Sequence, residues 1–543
     1  MSDFFDKLNK INNKKNTIEK QQSTKILSSK FGREITTIEN AKATFFKKSK
    51  YQNPTNFIEK SVELNKTFYG LYHGGENDGK PFVLDENSTT MEIFVGSTGT
   101  GKGVLLGNKA LEALKKRKGL IIIDPKKDAF LPQICLEELT RQGRSEDFQV
   151  CSWSDNFGYQ GINEWDTYKD VANKFVDALD LTPSDNPGVD YYRKNSRVLL
   201  TKILKLFFDG TLGVIVKKDF QDILFHIQML KEDMEKQKLL EAELSKFKSN
   251  QNLINKYEKR YFELEKIENV YWDTTTIETL DSLSKSLSEI SDSANIYNKY
   301  DLTGALYQGK VLYLKVDMLD VASLKMVKMM ITDAIQQARR KKANTTIIAD
   351  ELSFYANQTI AGALATVRSM GLKFLLALQD LSQMKEEHIR NAILSNCNVK
   401  IFYKISDKST LEYVEKISGK DAVSMISIND KSETTIKQQL EEVINATKIR
   451  ALPRQGVAIV IAEELNQPHI IRTNYIEVSK EFDWEKYENF EDLSYFNKIN
   501  SLKNDTIIIS DKEKIEKFKI SISETKILEN SDIFGISYTS EEI

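Results

Sequence analysis

Apolar residues in this chain gather into short, dense runs: Met91–Val95, Leu120–Ile123, Val311–Val316, Thr346–Ala349, Phe374–Leu378, Val399–Tyr403 and Val457–Ala462. Runs of this length, rich in Val, Ile and Leu, have the character of strands buried on both faces. Several lead into stretches with helical periodicity, as at Gly103–Arg117, Val321–Arg340 and Ile360–Met370. Such alternation predicts an α/β fold, a mostly parallel central sheet with helices on both faces. The eight prolines leave Pro187 to Pro453 free of interruption, so that stretch is expected to be rich in helices. Within it, residues 229–268 contain no Gly or Pro, and Leu240, Phe247, Ile254 and Tyr261 recur every seven residues. The spacing predicts a long amphipathic helix or a helical hairpin, read as part of an intramolecular helical domain rather than as a recruiting coiled coil.

The chain's 543 residues have room for three or four structural units. We divide it into an N-terminal arm at 1–65, the first part of a sheet domain at 66–165, an all-α domain at 166–300, the second part of the sheet domain at 301–480 and a tail at 481–543. No apolar run reaches the length of a membrane span, and the N-terminus has no basic segment followed by an apolar one. The expectation is a protein without a transmembrane helix or secretory signal. Cys135, Cys151 and Cys397 are scattered and match no disulfide framework or metal motif, which suits a reducing cytoplasm. Four histidines leave little scope for His-based metal or triad chemistry.

With 77 basic and 79 acidic side chains, overall charge does not mark a nucleic-acid binder, but its placement is uneven. Residues 1–60 carry 13 Lys/Arg against 6 Asp/Glu, a net +7; residues 481–543 carry 8 against 15, a net −7. The basic arm suits nucleic acid, acidic lipid or an acidic partner, and the tail suits neither of the first two. Both also fit plain solvated termini.

Candidate chemistry begins after the first strand-like run, at Gly96-Ser97-Thr98-Gly99-Thr100-Gly101-Lys102-Gly103-Val104. A strand, a glycine loop ending in lysine and a helix, in that order, make a phosphate-binding loop. Its glycines let successive N–H groups turn toward phosphate oxygens, the helix N-terminus adds a favourable dipole, and Lys102 would reach the β/γ-phosphates. The residue after the lysine, commonly a Ser or Thr on Mg²⁺, is Gly103, so the metal must depend on nucleotide, water and other groups.

Asp350 and Glu351 follow directly on the run Thr345–Ala349, at the strand end where ligands bind in open α/β sheets. A Walker-B arrangement gives Asp350 to the Mg²⁺ shell and Glu351 to the attacking water. Gln379, just after Phe374–Leu378, is a candidate for sensing the γ-phosphate or positioning water, and a strand-end cap otherwise. Arg368 lies just upstream of that strand and is a candidate for neutralising charge across a subunit boundary, with a solvated surface arginine as the plain alternative.

These motifs, in this order, resemble the type IV secretion coupling proteins of the VirD4/TraG/TraD family. Gly96 to Val104 is similar to that family's P-loop, in which Gly-Val after the lysine is usual. Ile121-Ile-Ile-Asp-Pro-Lys126 is similar to its strand ending in Asp-Pro-Lys, and Ile444 to Ala462 to its closing strand region. The resemblance spans roughly residues 65–475. It implies a RecA-like P-loop ATPase interrupted by an all-α domain that faces substrate, with ATP and Mg²⁺ as cofactors. Lys102, Asp350 and Glu351 would form the catalytic core, Arg368 the arginine offered to a neighbouring subunit and Gln379 the phosphate sensor. It further implies a homo-hexamer that delivers a relaxase–DNA complex or protein effectors to a secretion channel. Family members usually carry N-terminal transmembrane helices; with a polar residue 1–65 arm, this chain is expected at the cytoplasmic face of a bacterial inner membrane, held peripherally through partners or through its basic arm.

Two other functions fit parts of the pattern. An FtsK/HerA-type pump of double-stranded DNA shares the motor motifs, although a −7 tail is ill suited to tracking a duplex. A non-hydrolysing, nucleotide-gated assembly factor is compatible with Gly103, although Glu351 weighs against it.

Overall fold

The computed structural model describes residues 53–478, apart from 127–129, 153–160, 164, 183–186, 209–222, most of 225–273, 294–301, 429–433 and 455. The expected helical segment at 229–268 and both charged termini lie largely or wholly outside the described residues. The chain divides into two units. The first comprises residues up to Gln149, then Asp301–Lys315 and Gln337–Trp484; the second comprises Val150–Tyr300, Val316–Gln336 and the C-terminal residues from Glu485.

All seven apolar runs form strands of the first unit. In chain order the strands are β1 (Lys66–Tyr72), β2 (Pro81–Asp85), β3 (Met91–Val95), β4 (Gly119–Asp124), β5 (Phe148–Ser152), β6 (Val311–Lys315), β7 (Thr345–Ala349), β8 (Leu372–Leu378), β9 (Val399–Phe402), β10 (Lys420–Ile428), β11 (Thr434–Glu442), β12 (Val457–Ala462) and β13 (His469–Arg472). The large sheet runs β2-β1-β13-β12-β9-β3-β8-β7-β4-β6, with β5 next in the order, while β10 and β11 form a separate antiparallel pair. From β9 to β6 every neighbouring pair is parallel. On the other side of β9 the additions β12, β13, β1 and β2 are antiparallel. The expected parallel sheet is therefore present and carries an antiparallel extension.

The burial of β3, β4, β7 and β8 at every position explains their largely apolar sequences, in which Glu92 of β3 and Lys373 of β8 are buried as partners. The helix Lys102–Lys115 follows β3 and buries more than an apolar stripe, including Asn108, Lys109 and Glu112. Lys109 Nζ lies 3.2 Å from the centroid of the Tyr69 ring and 3.7 Å from Glu92, which in turn is 2.8 Å from Lys373. Glu112 accepts from the Phe68 N–H at 3.1 Å. These charged side chains are used inside the unit, where each has a partner of opposite charge or a ring face. The expected helix Val321–Arg340 forms with those bounds; Ile360–Met370 instead forms two short helices, Gln358–Leu364 and Val367–Met370. Thr366, between them, is non-helical, and Gly371 in the left-handed region ends the second.

The described part of the second unit is built from the helices Tyr168–Ala178, Pro187–Phe208 and Thr274–Ser293 and the stretch of Val321–Arg340 up to Gln336. Thr167 opens the first with a capping box, its hydroxyl accepting from the Asp170 N–H while the Asp170 carboxylate accepts from the Thr167 N–H. Lys174 is fully buried between Asp166 at 2.6 Å and Asp333 at 2.8 Å, and also donates to the Gly161 carbonyl. Among the described residues no helix is long and apolar enough to cross a membrane.

Candidate nucleotide site

The parallel order β3-β8-β7-β4 sets four chain segments side by side at one edge of the sheet. β3 runs into the glycine loop at Gly96, β8 into Gln379, β7 into Asp350 and Glu351, and β4 ends at Asp124 with Pro125 and Lys126 beyond. Since all four strands point the same way, residues distant in sequence meet at their C-terminal ends.

The loop is fixed from several sides. The Gly96 N–H donates to the Leu378 carbonyl at 3.2 Å, the Ser97 N–H to the Lys404 carbonyl at 3.3 Å, and the Thr100 hydroxyl to the Ser97 carbonyl at 2.7 Å. Gly101 caps the following helix at φ +110°, and a Cβ there would sit 2.7 Å from the Gly456 Cα. Gly456 itself is bonded to the loop, its N–H donating to the Thr100 carbonyl at 3.0 Å. Ser97, Thr98 and Gly99 are exposed at the loop's tip, whereas Thr100 and Lys102 are buried, with Gly103 and Val104 partly covered. Lys102 turns back to donate to the Gly96 carbonyl. Burial pushes its pKa down to about 8; the like charge of Lys126 adds to this, and Glu351, Asp350 and Asp380 pull the other way.

Asp350 and Glu351 are both buried. The Asp350 N–H donates to the Ile123 carbonyl of β4 at 3.1 Å, and the Tyr355 hydroxyl donates to the Asp350 carbonyl. Glu351 stands in the left-handed region at φ 50°, ψ 48°, a conformation that costs a non-glycine residue about 1–2 kcal/mol. Gln379 donates to Glu351 Oε1 at 3.1 Å, while Glu351 Oε2 is buried with no hydrogen-bond partner.

Lys126 completes the cluster and was absent from our sequence-based set of site residues. Its ammonium lies 2.6 Å from Glu351 and 3.1 Å from Asp350, and its N–H donates to Asp124 at 2.8 Å. Partial burial disfavours this ammonium, but Asp350 and Glu351 outweigh the burial and raise its pKa. The Tyr313 hydroxyl, 2.8 Å from Asp124, holds the other oxygen of that carboxylate. The sequence signal for it is Asp124-Pro125-Lys126 directly after an apolar strand, one of the segments that carry the family resemblance.

The structure thus brings Lys102, Asp350, Glu351 and Gln379 into one cluster with Lys126. Arg368 stands apart. It is exposed on the short helix before β8 and forms no ion pair among the described residues.

The fold and loop have the layout of the P-loop NTPase class, in which a lysine-bearing glycine loop and a strand-end carboxylate pair share one sheet edge. Comparison with known proteins narrows the resemblance. Residues 344–454, from β7 through the helix Ala446–Ala451, match the family model TraG-D_C, described as the TraM recognition site of TraD and TraG. Among solved structures the chain is similar to the bacterial conjugative coupling protein TrwBΔN70 in its unbound monoclinic form, at 16% identity and a TM-score of 0.52, over 78% of this chain and 92% of that one. It is likewise similar to TrwB in complex with the non-hydrolysable ATP analogue ADPNP, at 15% identity and a TM-score of 0.53, over 78% and 94%. TrwB with ADP and Mg²⁺ gives 15% and 0.52 over the same shares. No curated protein matches the chain. The chain shares its fold with the conjugative coupling protein TrwB, in keeping with the RecA-like architecture that the sequence resemblance implies.

Proposed function

We propose that this protein is an ATP-hydrolysing coupling protein of a conjugation or type IV secretion system. The observation that carries the reading is the meeting of Lys102, Asp350, Glu351 and Gln379 at one sheet edge, in a fold shared with TrwB, a protein solved with an ATP analogue and with ADP and Mg²⁺. The residues present suit a nucleotide. The helix Lys102–Lys115 offers its unpaired first N–H groups, Lys102 has only a loop carbonyl to relinquish, and Glu351 has a buried oxygen in want of a donor.

In this reading the loop from Gly96 to Val104 binds the phosphates and Lys102 neutralises the β/γ charge. Asp350 would hold Mg²⁺, which supplies Lewis-acid polarisation of the phosphates when bound; Gly103 contributes no hydroxyl oxygen. Glu351 orients the attacking water and accepts its proton, with Gln379 fixing the carboxylate through the hydrogen bond already formed. Phosphate in the loop would draw Lys126 off Glu351 and free that carboxylate. Arg368, exposed and without an ion pair among the described residues, is suited to acting on the site of a neighbouring subunit in a homo-hexamer. The 344–454 match supports recognition of a relaxosome component, with the second unit as an all-α, substrate-facing domain and attachment at the inner membrane face through partners.

Steady-state ATP hydrolysis by the wild type, Lys102→Ala and Glu351→Gln, with and without DNA and alongside mass measurement, tests the proposal. Hydrolysis that is abolished in both variants and rises with DNA and assembly is expected. Nucleotide binding without hydrolysis under any condition would overturn it in favour of a nucleotide-gated assembly factor, a reading to which Gly103 lends some weight.

A further inference from the structure

Beyond β13 the chain runs along the helix that carries Lys102. The Thr473 N–H donates to the Gly456 carbonyl at 2.7 Å, and the Gly456 N–H donates to the Thr100 carbonyl of the phosphate-binding loop at 3.0 Å. One residue on, the Asn474 carbonyl accepts from the Asn108 side-chain amide at 3.1 Å, and Ile476 joins the apolar cluster of Leu111, Ile134 and Phe68. Thr100, Asn108 and Leu111 succeed one another from the loop into Lys102–Lys115, so residues 473–476 follow that helix from its N-terminal end.

Tyr475 lies in this stretch and is 49% exposed, although Asn474 and Ile476 on either side are buried. Its ring stacks on that of Phe130, with centroids 5.0 Å apart and planes 18° from parallel. Phe130 is seated in turn against Gly107, where a Cβ would come 2.6 Å from the Phe130 Cε1. A residue with a side chain at 107 would therefore push the ring pair away from the helix. Gly107 and Asn108 stand one turn, about 5.4 Å, beyond Gly103 and Val104 at the end of the loop.

The sheet sets the direction in which a nucleotide would lie. β8 and β7, which deliver Gln379, Asp350 and Glu351, stand on one side of β3, whereas β9, β12 and β13 stand on the other. A triphosphate whose terminal phosphate faces the two carboxylates would point its nucleoside toward the second side, where Gly456 and Thr473 flank the loop. Among the described residues of the first unit two aromatic rings are exposed: Phe354, just after the carboxylates, and Tyr475, on the nucleoside side.

We propose that Tyr475, backed by Phe130, is the stacking platform for the purine base of the bound nucleoside triphosphate. The inference rests on the ATPase reading and adds to it a contact that the loop, which meets only phosphates, does not make. An aromatic ring meets the π-face of a base whatever its exocyclic groups, so the platform favours a nucleotide over bare polyphosphate without choosing between adenine and guanine.

Titration calorimetry of the full chain with the non-hydrolysable analogues ADPNP and GDPNP and with inorganic tripolyphosphate, each with Mg²⁺, separates the two ends of the ligand. We expect Tyr475→Ala to weaken both nucleotides by about tenfold and to leave tripolyphosphate unchanged, while Tyr475→Phe binds like the wild type. Lys102→Ala should weaken all three ligands. Retained tripolyphosphate affinity in Tyr475→Ala doubles as the control that its loop is folded. Undiminished binding of both analogues by Tyr475→Ala would overturn the proposal and spare the ATPase reading. An equal loss for tripolyphosphate would also overturn it, because the ring would then act through the loop; so would a loss confined to one analogue, which would mean recognition of a base edge. Wild-type protein that binds none of the three would sink the nucleotide site and the platform with it.

Discussion

Gly99 and Gly101 both stand at positive φ in the phosphate-binding loop, at +74° and +110°, yet their surroundings differ. A Cβ on Gly99 meets nothing within 4 Å; one on Gly101 falls 2.7 Å from the Gly456 Cα and 3.0 Å from its nitrogen. Gly456 has little freedom to retreat, because its N–H donates to the Thr100 carbonyl at 3.0 Å and its carbonyl accepts from the Thr473 N–H at 2.7 Å. Gly99→Ala therefore pays only for left-handed backbone, about 1–2 kcal/mol, less up to about 1 kcal/mol recovered by restricting the unfolded chain. Gly101→Ala bears the backbone term plus overpacking of about 1–3 kcal/mol against a pinned main chain. With the backbone term common to both, the expected difference is the overpacking term, about 1–3 kcal/mol, which corresponds to roughly 2–12 °C in the melting temperature of a domain this large. Scanning calorimetry of both variants without nucleotide measures it, and binding of a fluorescent ATP analogue shows whether the loop still closes on phosphate. Equal melting temperatures for the two variants would refute the argument, since they would mean that the Gly456 segment yields at no cost.

Three further perturbations follow from the charges in the two units. With the free-site pKa of Lys102 near 8 and phosphate binding favouring the ammonium, nucleotide affinity should be level below pH 7.5 and fall about tenfold for each unit above 8; titration calorimetry in several buffers would detect the accompanying proton uptake. Lys126→Met removes the like charge that helps depress Lys102, so the inflection should move to higher pH, whereas an unchanged inflection would show that burial alone sets it. The same variant leaves two buried carboxylates without their cation, held by the Gln379 amide on Glu351 and the Glu351 N–H on Asp350, and should destabilise the nucleotide-free first unit by roughly 3 kcal/mol. In the second unit, Lys174→Met abandons Asp166 and Asp333 in the interior and should cost on the order of 3–5 kcal/mol, read as a lower melting transition with ATP-analogue affinity unchanged.

The parallel half of the sheet can be read because its strands are buried at nearly every position and so are dominated by apolar residues. β3, β4, β7 and β8 show the pattern, and their shared direction places Gly96, Gln379 and Asp350 on one edge. In the antiparallel extension the sequence pattern indicates β12 but not β1, β2 or β13. β1 mixes Lys66, Thr67 and Gly70 among its aromatics, and β13 has four residues, His469–Arg472, bracketed by polar loops. Strands of that kind are specified by pairing partners far away in sequence, Leu71 with Arg472 for instance, rather than by local pattern. Nor does periodicity reveal that Lys109 and Glu112 are buried, since their stabilising partners Tyr69, Glu92 and Phe68 belong to other strands.

Lys126 escaped for a related reason. A lysine two residues past a strand reads locally as a solvated turn residue, and it acquires meaning only when the neighbouring strand β7 delivers two carboxylates beside it. Once they meet, the nucleotide-free site is balanced internally: Lys102 on its own loop carbonyl, Lys126 on Asp350 and Glu351, Gln379 on Glu351. Every group proposed to act on phosphate or water is thereby held by another member of the same cluster. In the proposed reading a polyphosphate entering the loop would compete for both lysines at once, and Glu351, the carboxylate proposed to orient water, would be released only when that competition succeeds. Charge balance would then tie the availability of Glu351 to occupancy of the loop, which suits a motor that should not spend nucleotide before it has bound it.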